Sequence, residues 1–297
     1  MSLYSLWGAL EIGLIFGLVA LGVFITFRVL NFPDLTVDGS FPLGAAVAAT
    51  LIASGVNPFL ATATAIAAGA AAGFLTGWLH VRLKIMDLLA GILVMIALYS
   101  INLRIMGKPN VPLITEPTIF SVLPGWLPDY IERPLAMLAL VAVAKLLLDW
   151  FFSSEIGLAL RATGANARMA RAQGVATGTA TLVGMALSNA LVALAGAVFA
   201  QSQGGADISM GIGTIVIGLA AVIVGESVLP ARRLVLTTLA VVLGAVLYRL
   251  FIALALNSEF IGLKAQDLNL VTAVLVALAL VLPRLKRRRA PRAAKGV

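Results

Sequence analysis

Apolar runs of about 20 residues recur from one end of this chain to the other, and that recurrence dictates the solvent in which it folds. A helix rising about 1.5 Å per residue crosses the roughly 30 Å hydrocarbon core of a bilayer in that length. Nine segments read as spans, near residues 8–28, 39–54, 58–80, 87–104, 133–152, 178–200, 212–228, 232–256 and 268–284, the second and seventh being shorter and interrupted by glycine. Hydrophobic residues make up 61% of the 297 and charged residues only 11%, a balance that leaves lipid as the solvent. The expected fold is an all-α integral membrane protein, a polytopic helical bundle of about nine spans with short broken helices, forming one transmembrane domain over residues 1–297.

Several chemistries are excluded at once. The chain has no cysteine, so disulfides and thiolate chemistry are absent, and its single histidine, His80, makes a multi-histidine metal site impossible within one chain. His80 lies beside Arg82, Lys84 and Asp87 at a span boundary and reads as a solvated turn. The net charge of +8 does not imply nucleic acid, because much of it sits in the basic tail 284–297 directly after an apolar run. No basic segment precedes the first run and Glu11 interrupts it, so the first helix is expected to stay in the membrane.

The positive-inside rule orients the spans. With the tail in the cytoplasm, Arg28, Arg82, Lys84, Arg161, Arg168, Arg171, Arg232 and Arg233 fall on the same side, while Lys108, Arg133 and Lys264 fall outside. The N-terminus is therefore expected outside and the C-terminus inside. The loop 105–132 then lies outside, where Pro109, Pro112, Pro117, Pro124 and Pro128 predict a stiff non-helical lid or docking surface. Gly69, Gly73 and Gly77, and likewise Gly13 and Gly17, repeat every four residues and predict close helix approach.

A weak internal repeat marks the two short spans. Asp38, Ser40 and Gly44 share their spacing with Asp207, Ser209 and Gly213, and each set is expected to open a short apolar helix. In the topology above one heads outward and the other inward, the arrangement that points to a transport site. Free N–H groups at such helix starts suit an anionic group such as a carboxylate. Asp38, Ser40, Asp207 and Ser209 are thus helix caps, substrate contacts, or both. Ser188 and Asn189 in mid-span, and Gln201 and Gln203 at its outer end, are further pathway candidates, with interhelical hydrogen bonding as the alternative role. Asn102 and Arg104 are similarly placed, and Glu226 is expected to cluster with Arg232 and Arg233.

Between the fifth and sixth spans lies a polar, glycine-bounded segment, 153–176, longer than a connection between neighbouring helices needs. As one helix it would set Arg161, Arg168 and Arg171 within roughly 80° of one another. Physics alone allows either an interfacial amphipathic helix or a docking helix. Residues 156–175, from Ile156 to Val175, resemble the cytoplasmic coupling loop of ATP-binding-cassette importer permeases of the branched-chain amino acid and ribose branch. Residues 184–196 and 211–226 resemble the same family, and 28–44 looks like the subgroup paired with lipoprotein-type amino acid binding proteins. Gly225, Glu226 and Ser227 depart from the Gly-Gly pair usual there.

The resemblance implies a permease for an amino acid or similar small polar solute in a bacterial inner membrane. Its implied partners are a second permease subunit, two cytoplasmic ATPases that bind ATP and magnesium, and a periplasmic or lipid-anchored binding protein. By the same resemblance Gly157, Leu158, Arg161, Ala162, Gly164, Asn166, Ala170 and Gly174 carry the ATPase contact. No P-loop motif occurs in the chain, so a motor must be a separate subunit, no cofactor is expected here, and the chain is not itself an enzyme. The rival readings are a stand-alone secondary transporter, which needs intramembrane acidic residues for ion coupling, an intramembrane enzyme, and a structural membrane protein.

Overall fold

Continuous apolar sequence makes long helices here, and glycine, proline and polar punctuation ends them. The computed structural model describes residues 3–122, 128–231, 233–257 and 274. In chain order these form α1 (Leu3–Val23), which continues through a π-helical turn Phe24–Val29, α2 (Val37–Ala53), α3 (Pro58–Leu83), α4 (Asp87–Met106), strand β1 (Asn110–Pro112), a 3-10 turn Ile119–Val122, α5 (Asp129–Ser153), α6 (Glu155–Ala165), α7 (Ala167–Ala172), α8 (Thr177–Gln203), strand β2 (Gly205–Asp207), α9 (Thr214–Val228) and α10 (Leu234–Asn257). Helices α1, α3, α4, α5, α8 and α10 are long and apolar enough to cross a membrane. Eight of the nine segments read from the sequence are therefore helices. The ninth, 268–284 apart from residue 274, the tail 284–297 and Lys264 lie outside the described residues, as do Pro124 and Arg232.

Helices α2 and α9, with 17 and 15 residues, are shorter than a full crossing. The reason lies at the end of α1. Arg28 pairs with Glu226 at 2.7 Å, Asn31 takes a left-handed φ of 54°, and Pro33 blocks renewed helix. The chain then runs back into the bundle as a non-helical segment before α2 begins. Ser40 meets Asn189 and Gly44 meets Ala193, so α2 runs alongside α8 in the same direction, reaching the C-terminal end of α4 where Thr50 contacts Ile105. Helix α9 runs the opposite way beside α1, with Gly218 against Val19 and Val23 and Glu226 at Arg28. The two short helices thus start near one level and diverge to opposite ends of the bundle.

Close packing of α2, α3 and α8 forms the core of this arrangement. A Cβ at Gly44 would overlap the Ala193 carbonyl, one at Gly73 the Met185 carbonyl, and one at Gly196 the Phe41 carbonyl. Gly69, Gly73 and Gly77 all face α8, so this stripe packs the chain against itself. Gly13 and Gly17 likewise face Val246 and Val242 of α10.

One end of the bundle gathers Arg28, the C-terminus of α3 with Arg82 and Lys84, and helices α6 and α7 with Arg161, Arg168 and Arg171, linked through Gly164 against Val29 and Gly178 against Val81. At the other end β1 and β2 pair antiparallel, Asn110 opposite Asp207, and tie the loop after α4 to the loop after α8. Forcing an extra carbon into a well-packed core costs about 1–3 kcal/mol. Gly44→Ala and Gly73→Ala should accordingly lower the melting temperature in detergent by several degrees or abolish a monodisperse species. Gly8→Ala, where nothing among the described residues lies within 4 Å of the added carbon, should leave both unchanged.

Candidate functional site

Three features come together where the short helices meet: a cap in trans, a buried polar network and a cavity. The first N–H groups of a helix have no partner within it, and inside a membrane they need one. For α9 that partner is Asp38 in the first turn of α2, whose carboxylate accepts from the Ile215 N–H at 2.7 Å and the Gly213 N–H at 3.3 Å. Asp207 does not cap the helix as the repeat suggested. It lies in β2, seven residues before Thr214, and accepts from the Ser209 N–H at 2.8 Å and from the Ser209 hydroxyl in a local turn. Those bonds hold its carboxyl below the usual carboxylate range.

Behind this junction lies a network built on Asn189. Its Nδ2 donates to Asp34 Oδ2 at 2.8 Å and to the Met185 carbonyl at 3.1 Å, and its Oδ1 accepts from Ser40 Oγ at 2.7 Å. Asp34 Oδ1 accepts the Thr36 N–H, and the hydroxyls of Thr36 and Thr76 meet at 2.7 Å. One side chain of α8 therefore fastens the re-entrant segment and the first turn of α2. Ser188 Oγ donates to the Gly22 carbonyl at 2.7 Å, joining α8 to α1. At the outer end Gln201 Nε2 donates to Thr62 Oγ1, and its Oε1 accepts from the Ile119 N–H. Gln203 is exposed at the last turn of α8.

In front of the junction is a cavity of about 490 Å³. Helix α2 contributes Asp38, Gly39 and Pro42, α4 contributes Met95, Tyr99 and Asn102, and the loop before α9 contributes Ile208, Ser209 and Ile212. Of the eight pathway candidates from the sequence, Asp38 and Ser209 line it. Ser40, Ser188, Asn189 and Gln201 are buried in interhelical hydrogen bonds instead. Asp34 and Tyr99 were not picked out by sequence reasoning. A carboxylate directly after proline, between two apolar runs, was the available signal for Asp34.

At the basic end, the cytoplasmic-type cassette is two helices, not one. Asn166 breaks it, with φ −161° and ψ 95°, and caps α7 by accepting from the N–H groups of Arg168 and Met169. The three arginines therefore do not form the single face expected of one helix. Gly157, Leu160, Thr163 and Ala170 face inward. A Cβ at Gly164 would overlap the Val29 carbonyl, so α6 rests directly on the backbone at the end of the π-helical turn. Leu158, Ala162, Asn166 and Met169 are exposed, and Gly174 ends the cassette with φ 84°. Glu226 pairs with Arg28, and Arg233 is exposed. His80 Nδ1 lies 2.9 Å from the Ile85 carbonyl with its ring edge-on to Phe32, a local turn contact.

A lone interhelical hydrogen bond in a membrane protein is worth about 0.6 kcal/mol on average. Asn189 serves Asp34 and Ser40 together, so Asn189→Leu should lower the melting temperature clearly more than Ser188→Ala. Equal melting temperatures for the two variants would refute the fastening role.

Residues 6–282 match the family model described as branched-chain amino acid transport system / permease component. The chain is 39% identical over 263 residues to the tyrosine transport system permease protein of Clostridioides difficile (strain R20291), covering 89% of this chain and 86% of that one. It is 38% identical over 205 residues to an uncharacterized protein of Rickettsia prowazekii (strain Madrid E), covering 69% and 71%. A family match over nearly the whole length, on a helical membrane bundle with short facing helices, shows that this chain belongs to the branched-chain amino acid transport system permease family.

Proposed function

We propose that the chain is the membrane subunit of an ATP-driven importer, taking up an amino acid with an apolar or aromatic side chain. Its proposed partners are a second copy of itself, two cytoplasmic ATPases seated on α6 and α7, and an external binding protein. The proposed setting is a bacterial inner membrane, with the N-terminus outside and the C-terminus in the cytoplasm. The tyrosine transport relative supports the substrate class, and the concentration of arginine at one end of the bundle supports the orientation.

The observation that carries the reading is the two-sided character of the cassette. Its outer side presents Leu158, Ala162 and Met169 to solvent at a basic end, an apolar strip suited to a groove on another protein. Its inner side rests on Val29 and Leu30 through Gly164. Those residues lead within a few positions to Asp34, held by Asn189, and then to α2, whose Asp38 caps α9. A push on α6 is delivered to the point where both short helices begin, which is how closure of an ATPase pair would bias the bundle between outward- and inward-open states. Ion-coupled transport would draw on Asp34, but both of its oxygens accept protein hydrogen bonds, which suits a structural role.

Leu158→Glu introduces a charge on the exposed strip and Arg161→Glu reverses one on the half-buried position beside it, both with good helix formers. In proteoliposomes containing the full assembly, each should reduce ATP-dependent uptake by about tenfold or more, the equivalent of 1.4 kcal/mol of contact. Melting temperature and dimer content should be unchanged. Normal uptake and normal substrate-stimulated hydrolysis in both variants would overturn the assignment of this surface.

A further inference from the structure

Asp38 changes what the junction of the short helices can bind. Free helix starts attract anions, but here the N–H groups of Gly213 and Ile215 are already occupied by a carboxylate of the same chain. The described residues lining the cavity include no lysine, arginine or histidine, and Asp38 is their one ionisable acid. Each Asp38 oxygen accepts one backbone N–H and keeps a further acceptor site.

A second acceptor stands beside it. Asn102 is fully buried and lines the same cavity, and its Nδ2 donates to the Gly39 carbonyl at 3.2 Å. That bond fixes which end of the amide is oxygen, because the reverse orientation would set two acceptors against each other. Asn102 Oδ1 is buried and meets no donor among the described residues. A buried acceptor without a donor is destabilising, and a ligand N–H would relieve it. The remaining wall is mostly apolar, with Pro42, Met95, Ile96, Ile208 and Ile212 beside Tyr99 and the two serines Ser100 and Ser209.

We infer that this cavity is a binding site for the primary ammonium group of the transported solute, held by Asp38 and Asn102 with its apolar or aromatic body against α4. This deepens the amino acid importer reading and rests on it for the identity of the solute. An ammonium supplies the three N–H donors that these acceptors lack, and charge-assisted bonds are the stronger kind. A carboxylate in the same place would face Asp38 with no cation to offset it.

The absence of native cysteine allows a direct test. Ile212→Cys places a single thiol at the cavity mouth, where Ile212 is 78% exposed, for maleimide labelling of the permease in nanodiscs. Tyramine, which has ring and ammonium but no carboxylate, should slow labelling, and the matching phenol carboxylate without the ammonium should not. Adding Asp38→Asn should raise the half-protecting tyramine concentration by about tenfold. Adding Asn102→Leu, which leaves the cap on α9 untouched, should weaken protection in the same direction if the first variant fails to fold. Equal protection by both compounds, or protection unchanged in Asn102→Leu, would overturn the assignment. The assay contains neither ATP nor ATPase, so its failure leaves the importer reading standing, and loss of the ATPase partner leaves this site standing.

Discussion

A helix that begins inside a membrane exposes backbone N–H groups where no water can satisfy them, and this bundle contains two such beginnings close together. The carboxylate of Asp38 supplies the partner for α9. The start of α2 is held in place by the contacts that Asn189 makes with Asp34 and Ser40. The rest of the core follows. For α2 to reach the middle of the bundle, α3 and α8 must admit it closely, and the glycines at 44, 69, 73 and 196 leave room for backbone against backbone. Removing the cap or the fastening would leave buried polar groups without partners, which lipid punishes more than water does.

The same junction links the two ends of the molecule. From the basic end, α6 bears on the last residues of the π-helical turn, and five residues after Val29 the chain is in the polar network at Asp34. From the other end, the β1–β2 pair and the turn at Asp207 bring the loop with Ser209 and Ile212 over the cavity. Under the proposed coupling, a small displacement of α6 would reach the cavity wall through covalent chain and a few hydrogen bonds. Packed elements of this sort shift between discrete arrangements more readily than they deform.

Much of this was legible in the sequence, and the rest failed for identifiable reasons. Apolar length gave the long helices, and glycine interruption marked the second and seventh segments as unusual. The spacing shared by Asp38 and Asp207 pointed at the right region but misplaced the caps, because a cap supplied by a distant segment leaves no local signal. Asn166 was read as one helix position among many, whereas its side chain captures two N–H groups and splits the cassette. Glu226 was expected beside its sequence neighbours and instead meets Arg28, 198 positions away. The orphaned oxygen of Asn102 is a property of packing that no one-dimensional pattern announces, and what Asp34 does depends on the Asn189 side chain that reaches it across the bundle.

The proposed coupling drives this permease from outside its own chain. Affinity purification of the tagged protein from its native membrane, with mass spectrometry of what copurifies, would reveal the motor. A P-loop ATPase is expected in the purified assembly, dependent on an intact α6–α7 surface. Recovery of this chain alone, still moving solute into vesicles without ATP, would contradict that coupling.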